Sequence, residues 1–218
     1  MKSVYPPLVL CSAISTFLPL FASATRIGHV TKCSTGLVFL WLFFVFAVAA
    51  EIILYIFSWH GNQSAWIFHV YTVIEYTLAT IVLAGWQIDS KLSKLMRSSI
   101  PIFFFCFILI KAVGLENFEP GLHNNITRPL AVLLLSASAL LTMQNLWRET
   151  PENLAKDYRF WMLLAMAFYY STSLVLFAFM FTMQLEMLDA LFKMHAVTNI
   201  IHNILFTVGV FQFTRSPE

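Results

Sequence analysis

Charge is what this sequence has least of. Its 218 residues carry 13 basic and 11 acidic side chains, 11% of the chain, where a soluble domain carries about a quarter. So few charges cannot wet a globular surface, which excludes a soluble enzyme, a nucleic-acid-binding domain and a disordered chain together. The net charge of +2 implies no polyanionic partner, nucleic acid included. Cysteine is scarce too: Cys11, Cys33 and Cys106 make no disulfide framework and read as small apolar packing residues. Long connections are also missing. None between apolar runs exceeds about 15 residues, too short for an extramembrane domain.

What the chain has instead is apolar bulk, 59% hydrophobic and 16% aromatic, with a mean hydropathy of +0.77. A bilayer core asks for about 20 mostly apolar residues per helix. Seven runs meet that length: 8–24, 35–58, 66–86, 98–115, 128–147, 160–183 and 188–213. The expected fold is an all-α integral membrane protein, a seven-transmembrane-helix bundle forming one domain over 1–218. The first run, short and holding Pro19, ends in Ala22, Ser23 and Ala24 like a cleavable signal peptide. Lys2 is its sole leading positive charge, and Pro6 and Pro7 precede it, which favours an uncleaved first span.

Positive charge sets the expected orientation. Arg26 and Lys32, then Lys91, Lys94 and Arg97, then Arg148, Lys156 and Arg159 follow spans one, three and five, and Arg215 follows span seven. The positive-inside rule puts these in the cytoplasm and the N-terminus outside. Glycosylation triplets at Asn62–Ser64 and Asn125–Thr127 fall on the outer side and carry little weight alone. Trp59, Trp66, Trp86, Trp147 and Trp161 sit at span ends, as interfacial belts require.

An ionisable side chain at bilayer depth costs about 2.5–3.5 kcal/mol on insertion scales, so each one asks for a reason. Glu51, His69, Glu75, His195 and His202 are the set, while Lys111, Asp189 and Lys193 lie near span ends. At about 100° per residue, His195, Asn199, His202 and Asn203 share one arc of span seven. Glu51, Tyr55 and Ser58 share a face of span two, as do Tyr71, Thr72 and Glu75 in span three, with His69 beside Thr72 and Tyr76. Span six adds Tyr169 to Ser173. These arcs read as one interior feature in the outer half of the bundle, with Lys111 a candidate counter-ion for Glu51 or Glu75. The plainer reading of the hydroxyls is interhelical hydrogen bonding.

The leading functional expectation is a sensor- or receptor-like module whose outward-facing pocket binds a small-molecule or lipid ligand. Candidate pocket residues are Glu51, Tyr55, His69, Tyr71, Glu75, Tyr169, Ser173, His195, Asn199, His202 and Asn203. A signal would leave through a membrane or cytoplasmic partner. The alternative is an intramembrane zinc hydrolase acting on a lipid, with His69, Glu75 and His202 as candidate ligands. His195 and His202 lie about 10.5 Å apart along the helix axis, too far to share one ion easily. No cofactor is otherwise expected. A proton-coupled transporter comes third, weakened by the lack of an internal repeat. A retinal-type photoreceptor fails because Lys193 is too shallow.

From Trp66 to Glu75 the chain resembles the third helix of a group of small bacterial heptahelical membrane proteins to which no activity is assigned, in its aromatic–His–x–Tyr–Thr–x–x–Glu pattern. Glu51, Arg159 to Trp161, Tyr169 to Ser173, and His195 with Asn203 extend the likeness over about 35–215. The resemblance implies a multi-pass protein of the bacterial inner (plasma) membrane, similar to stand-alone sensory modules. It carries no catalytic residues across.

Overall fold

The computed structural model describes residues 7–25, 35–60, 65–117, 124–150, 152, 154–179 and 185–213, with the side chains of 35, 58, 65, 178, 179 and 185–188 left aside. Cys33, the Asn62–Ser64 triplet and the flanking charges Lys2, Arg26, Lys32, Glu119 and Arg215 lie outside the described residues, as do the side chains of Ser58 and Glu186. Among the described residues eight α-helices follow one another: α1 Pro7–Ser15, α2 Phe17–Ala24, α3 Thr35–Trp59, α4 Ala65–Trp86, α5 Ser90–Ala112, α6 Thr127–Glu149, α7 Tyr158–Phe179 and α8 Leu185–Phe213. A 3-10 turn, Leu154–Lys156, precedes α7. With α1 and α2 counted as one, seven segments among the described residues are long and apolar enough to cross a bilayer. The chain is an all-helical, multi-pass membrane protein.

The first span is broken at Thr16 for a local reason. Pro19 has no N–H to return to Ser15, and its ring crowds that carbonyl. Thr16 instead closes a tight turn on Ala13, through both its amide and its hydroxyl. The fourth span begins eight residues before the expected 98, because the sequence count sought apolar residues and stopped at Lys91, Lys94 and Arg97. These belong to the first turns of α5, which Asp89 caps by accepting the Lys91 and Leu92 amides at 2.8 and 3.5 Å.

Six spans form a ring, α1/α2–α8–α7–α6–α4–α3, closed by packing of α2 on α3. The α5 helix stays outside it, packed mainly on α4 and showing Ile102, Phe104, Phe105 and Ile108 to the surroundings. We call the end where α1 begins the near end and the end where α8 finishes the far end. The far half is packed by Val82, Leu83, Leu135, Met162, Leu163 and Met166, none more than 1% exposed. Gln87 ties α4 to α6 there, bonded to Thr142 and Asn145 at 2.8 and 2.7 Å. At mid-depth Phe206 meets Phe43 and Phe44 edge-on, with ring centres 5.9 and 5.1 Å apart.

Candidate functional site

Above that aromatic floor the near halves of the helices part around a cavity of about 550 Å³, a size that suits a small organic ligand. Its walls come from α1, α3, α4, α6, α7 and α8. Where α1 meets α8, two asparagines one turn apart dock it: Asn199 donates to Ser12 at 2.9 Å and Asn203 to Ser15 at 2.8 Å. The first span is thus a wall of the cavity. Its small and polar face, Ser12, Ala13 and Thr16, is turned inward.

A buried ion pair occupies the α4–α6 side. Arg128 donates through Nη1 to Glu75 Oε2, with Arg128 8% and Glu75 2% exposed. The guanidinium also lies 5.8 Å from the Tyr71 ring centre. Such a pair persists at bilayer depth because each charge removes the other's cost. Lys111, expected to serve Glu51 or Glu75, serves neither. Its ammonium reaches Glu116 Oε2 and His69 Nδ1, each at 2.7 Å. The counter-ion of Glu75 is Arg128, from the first turn of α6.

The placement of Arg128 follows from a cap built over 12 residues. Gly114, at φ +74°, ends α5 in a left-handed turn, with Leu115 N–H on the Ile110 carbonyl and Gly114 N–H on that of Lys111. That turn brings Glu116 back over the start of α6. Its carboxylate accepts the Ile126 amide at 2.7 Å, the Thr127 amide at 3.3 Å and the Thr127 hydroxyl at 2.7 Å. Burial alone would raise the Glu116 pKa. The Ile126, Lys111 and Thr127 hydrogen bonds and the Lys111 charge outweigh it and hold the group below its ordinary value. Asn124 completes the cap, accepting from the Arg128 amide and the Thr127 hydroxyl and donating to Thr72 Oγ1 at 2.9 Å.

Eight of the expected pocket residues line the one cavity: Glu51 from α3, Tyr71 and Glu75 from α4, Tyr169 from α7, and His195, Asn199, His202 and Asn203 from α8. Three do not. Tyr55 is 48% exposed and leans on Trp59. His69 is fully buried on the α5 side of α4, where Lys111 donates to it. Ser173 is buried behind His195, 3.5 Å from its Nδ1. Angles along one helix place residues on a shared face, but not on the side of it that a neighbouring helix leaves open. Ser12, Thr16, Asn124 and Arg128 join the lining without having been expected.

His202 stacks on Tyr169 with ring centres 4.5 Å apart and meets Phe206 edge-on at 4.4 Å. Neither ring nitrogen has a hydrogen-bond partner among the described residues; Asn203, next along the helix, gives its amide to Ser15. The set His69, Glu75 and His202 is not gathered at one point. His69 turns to Lys111 and Glu75 to Arg128, and the described residues hold no group of three His, Cys, Asp or Glu side chains placed to hold a metal ion. Cys11 and Cys106 are free thiols. No family model matches the chain, and neither a curated protein nor a solved structure shows significant similarity to it.

Proposed function

We propose that the chain is a sensor- or receptor-like membrane module that holds a small amphipathic ligand in the near-end cavity and acts through a partner. The observation that carries this reading is the cavity itself. It has apolar walls and a few convergent polar groups, the arrangement of a small-molecule site, confined to one half of the bundle. A through-pore would need a continuous polar path through the far half, where Val82, Leu83, Met162, Leu163 and Met166 are packed with almost no exposure. The α8 helix links the two halves: it presents His195 to Asn203 to the cavity and runs on to Phe213 at the far end. A ligand that shifts α8 would therefore be felt where a partner could read it.

Native mass spectrometry of protein released from lipid nanodiscs tests the reading. A retained amphiphile is expected on the wild type and lost from Ala47→Trp, which fills the cavity with a large ring. Equal occupancy in both would defeat the proposal.

A further inference from the structure

The polar groups around the cavity are not all paired. Glu75 and Arg128 neutralise each other. His195 and His202 are neutral above their ordinary titration range. Glu51 remains: it lines the cavity from α3, and no ion pair or hydrogen bond reaches its carboxyl among the described residues. Ionising an unpaired carboxyl at this depth is costly, and a cation entering the cavity offsets that cost.

The surroundings say what else the cation must carry. Leu54, Leu176, Phe177 and Phe192 line the cavity beside the polar groups, so one end of the occupant is apolar. Among the described residues α1 packs on α8 and α3 packs on α4, with little packing between α1 and α3. Val9, Ala13, Ala50 and Leu54 on those two helices all face the cavity.

We infer that the ligand is a protonated amine on a hydrophobic body, its ammonium paired with the Glu51 carboxylate and its apolar part along the α7–α8 wall. This rests on the pocket reading above. It adds the ligand's charge and the residue that selects it. The amine could be lipid-derived and enter through the α1–α3 seam, or be a hydrophobic amine taken from water.

The test is a thermal-shift titration at pH 7.5 in phosphatidylcholine nanodiscs, whose zwitterionic lipid does not itself concentrate cations. The probes are dodecylamine, dodecanol and dodecanoate, on wild type, Glu51→Gln and Ala47→Trp. Dodecylamine should raise Tm, while the alcohol and the acid should not. Glu51→Gln should weaken amine binding about tenfold or more while eluting as wild type. The comparison of amine with alcohol on the wild type stands even if that variant fails to fold. If all three probes stabilise equally and Glu51→Gln changes nothing, the amine inference is overturned and the pocket reading survives. If none stabilises, and Ala47→Trp behaves as wild type, the pocket reading falls and takes the inference with it. Phenylethylamine added from water assigns the source: stabilisation by it alone marks an aqueous ligand, and by dodecylamine alone a bilayer one.

Discussion

At the scale of single residues, the pair between Arg128 and Glu75 is the most exposed to failure if half of it is removed. Glu75→Gln leaves a guanidinium buried without its carboxylate, and should cost about 3–5 kcal/mol in reversible unfolding in detergent. Arg128→Met added to Glu75→Gln should recover most of that loss. If the single variant unfolds like wild type, the pair is not what holds these helices together. Glu116 makes a prediction of opposite character, in pH. Its depressed pKa means that its stabilising contribution is complete above the ordinary carboxylate range. That contribution is lost as pH falls through the depressed value. Glu116→Gln should therefore lower stability at neutral pH and flatten the acid limb of a Tm-against-pH curve. An unchanged acid limb would mean the α6 cap does not depend on that charge. Neither role was legible in sequence. A residue one step inside a span, as Arg128 is, can face either headgroups or a neighbour, and only the packing decides which. Glu116 acquires its role only once Gly114 has turned the chain back.

At the scale of helices, the apolar runs gave the spans directly, because bilayer length and hydropathy dictate them. The α5 start was missed because the first turns of a helix at an interface are polar by necessity. The break at Thr16 was signalled by Pro19 and by nothing else. The close approach of α7 and α8 was not legible at all. A Cβ on Gly209 would meet the Cε and Sδ of Met162 at 3.0 Å, so glycine lets the helices come together there. The obstructing atoms are the flexible end of a thioether. Gly209→Ala should hence cost under about 1 kcal/mol and Gly209→Leu about 1–3 kcal/mol in unfolding free energy. Met162→Ala should relieve the larger variant. Equal stability of all three would show that α7 and α8 do not pack tightly at this point.

At the scale of the whole molecule, helical angles alone collect most of the polar residues that line the cavity. They could not say which helices are neighbours, and so left His69, Tyr55 and Ser173 on the wrong side of their walls. The charge bias further predicts a cytoplasmic far end. A fluorescent protein fused after residue 218 should light up, and an alkaline phosphatase fused there should stay inactive. The reverse pattern would turn the cavity to the cytoplasm and require a different source for its ligand.

The docking of the first span onto the last has a consequence for biosynthesis. Ser12 and Asn199 are 187 residues apart, and Ser15 and Asn203 are 188 apart. At about 5–20 residues per second, a ribosome needs roughly 10–40 seconds to cover that distance. During this wait Ser12 and Ser15 lack only their asparagine partners, the Ser15 hydroxyl being held by the Ser12 carbonyl of its own helix, and α3 holds Glu51 toward an unfinished wall. The cavity closes only when α8 arrives. A chain stopped short of Asn199 would leave α1 without the wall it docks on.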